Sequence, residues 1–283
     1  LPGAGKEVFD ALGDQVKQVS KEFGVLPNEV IPALYQSISA GVPKDNVAEF
    51  LRVAAMAAKG GITDLETAVD GITSVVNAYG SEVMSATEAS DLLFTAVRLG
   101  KTDFGQLSKE VYKVAPLAAA VGIEFGSVTA ALANLTAQGT PTAVAATQLK
   151  AAFAELAKEG TKADTAFRNL SGEGLAGFLA QGGSLEEALL LLKDGADAAG
   201  ISVIDMFGSI EAGAGILALT ADGGVALSAS LAEMNAAAGA TEAAFETMDR
   251  GLAATFDKIK ANLAVMAIET GEKLAPHVLA ATE

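Results

Sequence analysis

Cysteine and tryptophan are absent from this 283-residue chain, histidine occurs once, and aromatic residues make up only 5% of it. Without cysteine there is no disulfide, no thiolate nucleophile and no thiolate-ligated zinc, and redox compartment leaves no trace in the sequence. Basic residues are scarce: 19 Lys and Arg face 35 Asp and Glu, for a net charge of −16. Nucleic-acid affinity comes mainly from neutralising phosphates with Lys and Arg, so stable nucleic-acid binding is not expected. An anionic membrane surface is disfavoured for the same reason. No run reaches the roughly 18 apolar residues that span a bilayer; the best, residues 212–221, is short and broken by glycine. Membrane contact is therefore expected only through parts not in this chain. No signal peptide is visible, and Leu1 in first place is what a fragment or a processed product would show.

What the chain has is alanine. Hydrophobic residues make up 51% of the sequence, and many of them are Ala rather than Val, Ile or aromatics. Alanine is the strongest helix former and loses no side-chain entropy on folding, whereas a sheet draws on β-branched and aromatic residues. The expected fold class is all-α.

A pattern occurs twice. Gly24, Val30, Ala33, Leu34, Gly41, Pro43, Ala48, Leu51 and Ala54 recur 98 positions later as Gly122, Val128, Ala131, Leu132, Gly139, Pro141, Ala146, Leu149 and Ala152. Each copy reads as a helix, a glycine stop, a proline restart and a second helix. The architecture expected is stacked helical hairpins with an internal duplication, at about 24–60 and 122–159. Before the first hairpin, Val8, Leu12, Val16, Val19 and Phe23 share one face of an opening helix that Gly24 stops. Thr63 with Glu66, and Ser184 before the apolar run 185–192, read as helix caps; Thr102 or Asp103 caps another helix, which Pro116 breaks or kinks. Glycines crowd residues 169–183, which suggests a core domain over 1–170 and a helical extension over 171–283. The extension ends in a long helix, about 241–268. There Phe245, Leu252, Ile259 and Met266 recur every seven residues, with Met248, Phe256 and Leu263 between them. That spacing approximates a heptad seam. It fits either a helix packed on its own domain or an oligomer seam between copies of the chain.

Chemistry is sparse. Gly3-Ala4-Gly5-Lys6 lacks the spacing, the following Ser or Thr and the preceding strand of a phosphate loop. His277 stands alone beside Pro276, too little for a zinc site or a catalytic triad. Glu186 and Glu187 open a helix, where the helix dipole favours acids. Asp194 and Asp197 share a helix face, but calcium needs more oxygens on a defined loop. No catalytic residue, metal site or cofactor is expected, and the chain does not read as an enzyme.

Several spaced motifs carry a resemblance. Ser39-Ala40-Gly41-Val42, Asn77-Ala78-Tyr79-Gly80, Ser90-Asp91-Leu92-Leu93-Phe94, Gly100-Lys101-Thr102, Ala115-Pro116 and Ala145-Ala146-Thr147-Gln148-Leu149 occur in that order. Together they resemble the conserved core domain of phage tail tape measure proteins over roughly residues 5–170; residues 207–240 resemble the region that follows it more weakly. The resemblance implies a virion structural protein, made in the bacterial host cytoplasm and placed in the tail lumen or tip. In this role several copies set tail length while the tube polymerises, and the protein leaves before DNA passes. Implied partners are the tail tube protein, tail-tip or baseplate proteins, tail assembly chaperones and other copies of itself. As one straight helix the chain would span about 420 Å, but its glycine and proline stops favour a compact domain. The alternative is a helical-repeat module that binds a protein partner and is unrelated to phage. A membrane-active domain is disfavoured, since no helix shows both a basic and an aromatic face.

Overall fold

The computed structural model describes residues 6–280, with side chains from residue 9 to residue 275. Gly3-Ala4-Gly5 and the side chain of His277 lie outside the described residues. The structure is all-α: sixteen helices account for most of the chain, and no strand occurs among the described residues. The first eight are α1 (Lys6–Phe23), α2 (Pro27–Ser39), α3 (Val47–Gly60), α4 (Leu65–Tyr79), α5 (Ala86–Leu99), α6 (Phe104–Glu110), α7 (Ala115–Val121) and α8 (Phe125–Ala137). Then come α9 (Thr142–Ala157), α10 (Lys162–Ser171), α11 (Leu175–Ala180), α12 (Leu185–Ala198), α13 (Ile210–Thr220), α14 (Val225–Asn235), α15 (Ala240–Asp249) and α16 (Leu252–Ala280). Short 3-10 turns lie at Val111–Lys113 and Val203–Met206.

Two compact units divide the chain. One comprises residues 1–70 and 241–283, the other residues 71–240. In the first unit, α1 buries Leu12, Val16, Val19 and Phe23, and α2 and α3 pack on it through Val30, Ala33, Leu34, Phe50 and Leu51. Phe245 of α15 meets Phe23 edge to face, with ring centroids 5.4 Å apart. Gly60 makes room for α15, since a Cβ there would lie 3.0 Å from the Phe245 backbone nitrogen. α16 lies along α1, with Ala261 and Val265 fully buried and Lys17–Glu272 and Lys21–Glu269 ion pairs of 2.7 Å each.

In the second unit, α8 is the buried element, covered by α5, α9 and α14, while α13 packs on α9. Phe104, Phe125, Phe153, Leu93 and Leu132 fill its interior. Glu155 of α9 holds the start of α13: its carboxylate accepts from the Gly208 and Ser209 amides at 2.6 and 2.9 Å. An anion at a helix N-terminus satisfies donors that have no partner inside the helix.

The first helix of each repeat keeps its bounds, whereas α3 and α9 differ in start and length. α2 and α8 begin and end 98 residues apart. Their ends carry matching bonds: Val42 N–H donates to Ser37 and Gly41 N–H to Ile38, as Thr140 does to Leu135 and Gly139 to Thr136. Gly41 and Gly139 close these turns at φ of +96° and +97°, a region open to glycine at little cost.

Four boundaries differ from the sequence reading. Pro43 does not start α3; its carbonyl accepts from Asn46, and the helix begins at Val47. Asp64 rather than Thr63 caps α4, accepting from the Thr67 amide at 2.7 Å. The long helix expected over 241–268 is two helices parted at Arg250 and Gly251, because glycine is a poor helix former and the seven-residue count runs straight across it. The division expected near residue 170 does not coincide with the units above. α10 packs on both α9 and α12, and glycines such as Gly172 and Gly182 only turn the chain between short helices.

Candidate functional site

α16 presents its large apolar residues outward. Leu252, Phe256, Ile259, Leu263 and Met266 are all exposed, from 49% at Ile259 to 80% at Leu252. Their spacing alternates four and three, which places them on one stripe of a helix. The opposite face buries Ala254, Ala261 and Val265, all small. This is the reverse of an ordinary surface helix, which hides its bulkiest side chains. Of the four residues picked out by the seven-residue spacing, Leu252, Ile259 and Met266 lie on the stripe. Phe245 stands apart, on α15 and half-buried against Phe23. Phe256 and Leu263 complete the stripe in its place.

Charge on the stripe is low. Between Leu252 and Ile268 the only acid is Asp257, paired with Lys59 at 3.5 Å, and Lys258 is held by Asp249 at 2.6 Å. Glu269 and Lys17 at the far end belong to the pairs with α1. The Glu269 carboxyl is held below the usual carboxylate range, first by its hydrogen bond from Lys21, and the Lys17 ammonium is held above its own, first by Glu272.

A second feature follows the duplication. Each copy opens a cleft where the hairpin starts. The first, about 620 Å³, reaches Gly24, Val25 and Leu26, and Asp257 and Lys260 of α16 form part of its wall. The second, about 860 Å³, reaches Gly122, Ile123 and Glu124. Tyr79 fixes this second turn. Its hydroxyl donates to the Ile123 carbonyl at 2.9 Å, and its ring meets Phe125 edge to face. Burial, with Glu124 nearby, pushes the Tyr79 phenol above its ordinary value. The sequence singled out Asn77-Ala78-Tyr79-Gly80 as a motif without its purpose, because Ile123 lies 44 residues away.

Three of the acidic residues noted in the sequence have structural partners. Glu187 completes a capping box with Ser184, Glu186 accepts from the Ser228 hydroxyl, and Asp197 pairs with Lys193. No group of three His, Cys, Asp or Glu that could hold a metal occurs among the described residues. No single helix there is long and apolar enough to cross a membrane. α13 and α14 pass that test only as a pair bent by 80°, and α13 buries Ala212, Ile216 and Leu219.

An all-α structure whose α16 turns an apolar stripe outward is suited to structural association. Comparison with known proteins gives that class its family. Residues 13–196 match the family of phage-related minor tail proteins, and the chain belongs to it. It is also 33% identical, over 291 aligned residues, to a probable tape measure protein of Clostridium phage phiCD119. That alignment covers 99% of this chain and 31% of the relative, so the chain spans about a third of the relative's length. No solved structure matches. The family is one of structural tail proteins, which supports a phage-tail structural role for this chain.

Proposed function

We propose that this chain is part of a tape measure protein, which sets tail length while the tube assembles around it and is released before DNA passage. The observation that carries the reading is the alignment of nearly the whole chain with a protein named for that role. A net charge of −16 suits a chain that shares a narrow lumen with DNA without holding it. Its partners on this reading are the tail tube protein, tail-tip or baseplate proteins, assembly chaperones and other copies of itself.

Copies meet, in this proposal, along the α16 stripe. Leu252, Ile259 and Met266 alternate with Phe256 and Leu263 as the two core positions of a heptad, and near-neutral flanks let acidic chains approach. The spacing makes Phe256 and Leu263 the a positions and Leu252, Ile259 and Met266 the d positions, and Leu at a with Ile at d favours more than two strands.

The segment acts as a folded domain of the ruler rather than as extended length. Its helices are mostly too short to persist alone, and each buries a face on a neighbour. In-frame deletion of α1 tests this. Extended, α1 accounts for about 27 Å at 1.5 Å per residue, and its loss shortens tails by that amount. As part of a folded domain, its loss abolishes assembly or infectivity and leaves surviving tails at normal length. Normal, infectious tails would defeat the ruler reading and restore a partner-binding module unrelated to tail length.

A further inference from the structure

The two copies of the hairpin treat the same turn differently. Gly24 and Gly122 occupy equivalent positions, with φ of +67° and +89°. The residues after them begin α2 and α8 with the same bonds, from the Glu29 and Val30 amides to Leu26 and from the Ser127 and Val128 amides to Glu124. In the first unit a helix crosses directly over the glycine: a Cβ on Gly24 would lie 2.8 Å from the backbone nitrogen of Lys258 and 3.0 Å from the carbonyl carbon of Asp257. Such an approach is open only to glycine on one side and to a helix with a slim face on the other. α16 meets that requirement, since Ala254 and Ala261 lie on its buried face.

In the second unit nothing lies within 4 Å of a Cβ on Gly122. Beside Gly122 lies the open cleft of about 860 Å³, with no helix crossing the glycine. Its apolar lining includes Met84, Leu92, Ile123, Phe125 and Met234. Its charged lining is acidic throughout: Glu88, Asp91 and Glu124, with no Lys or Arg. Asp91 accepts from the Gly239 amide at 2.8 Å and belongs to the wall. Glu88 and Glu124 are solvent-exposed, and no ion pair to a basic side chain is formed by either among the described residues.

We infer that the Gly122 cleft is a docking site for a helix from a partner protein, which crosses Gly122 as α16 crosses Gly24. Chemistry defines the partner: small residues, alanine or glycine, on the face that meets Gly122, and Lys or Arg beside them to meet Glu88 and Glu124. Complementary charge steers such an encounter and rejects wrong partners. An acidic helix, the commonest kind in this chain, is repelled. The α16 of a second copy is a poor occupant, because its small face is already buried within its own unit.

The probe is a fluorescent peptide of residues 252–268 carrying Asp257→Lys, which combines the alanine face with basic side chains at positions 257, 258 and 260. It also carries Leu252→Gln, Ile259→Gln and Met266→Gln, which keep it from pairing with the α16 stripe. It should bind the full chain saturably. The double variant Glu88→Lys and Glu124→Lys, both at exposed positions, should weaken binding at least tenfold while circular dichroism stays unchanged. A peptide that also carries Ala254→Leu and Ala261→Leu should lose binding to a similar extent, since bulk on that face holds the helix off Gly122. Absence of saturable binding, or binding indifferent to the cleft variants, overturns the site. Self-association of the unmodified chain that the same double variant abolishes overturns the partner and puts a second copy in the cleft.

Discussion

The Cβ position of Gly24 lies 2.8 Å from the backbone nitrogen of Lys258, whereas that of its duplicate Gly122 meets nothing within 4 Å. Both have positive φ, so an alanine at either position carries the same left-handed strain, about 1–2 kcal/mol. Only at Gly24 does it also push a helix away. Gly24→Ala should therefore destabilise by about 3 kcal/mol, against about 1–2 kcal/mol for Gly122→Ala. Urea midpoints followed by circular dichroism give the comparison, and equal losses would mean that the contact with α16 contributes nothing.

Tyr79 supplies a test at high pH. Burial raises its phenol above the ordinary value of about 10, so the folded state prefers the neutral form. The contribution is whole below about pH 10 and is lost as pH rises from there toward the raised folded value. Tyr79→Phe removes the hydrogen bond to Ile123 and should cost about 1–2 kcal/mol near neutral pH. It should also flatten the alkaline loss of stability. An alkaline melting curve that is identical in both proteins would show that other groups govern this range.

α16 is held on α1 partly by exposed ion pairs, and these set a pH and salt dependence. The Glu269 carboxyl is depressed by Lys21, so its contribution is present above the ordinary carboxylate range and is lost as pH falls through the depressed value. The Lys17 ammonium is raised by Glu272, so its contribution holds below the ordinary lysine range and disappears as pH climbs through the raised value. Salt near 1 M screens both. Hydrogen exchange in α16, corrected for intrinsic rates, should quicken at low pH and in high salt while α8 stays protected. Uniform protection would assign the hold of α16 to Ala261 and Val265 alone.

The bounds of α2 and α8 were legible because their signals are local. Glycine stops at Gly41 and Gly139 and the spacing of Val30, Ala33 and Leu34 need only a few residues of context to be read. The Ser184 cap was legible for the same reason. Thr63 and Asp64 are adjacent residues of equal capping type, and only the fold chooses Asp64. The exposed stripe of α16 was half visible: its period marked Leu252, Ile259 and Met266, but periodicity cannot register the break at Gly251 that leaves Phe245 on α15 against Phe23. The clefts were invisible. Tyr79, Glu88, Gly122 and Met234 come from four separate segments, and only tertiary packing brings them together.

The exposed stripe gives the last test. Leu252 is 80% exposed and Ile259 49%, so Leu252→Asp with Ile259→Asp should leave the isolated chain folded and change its stability by about 0.5 kcal/mol or less. In an assembled seam the same two carboxylates would be buried without partners, at a cost of several kcal/mol. Sedimentation should show the unmodified chain associating into species larger than a dimer, and the double variant remaining monomeric with the same helical content. Phe245→Ala is the contrasting variant: it strips the partner from Phe23 and should lower stability without a direct effect on association. An unmodified chain that stays monomeric at high concentration, together with normal tails assembled from the double variant, would remove α16 from the contacts between copies.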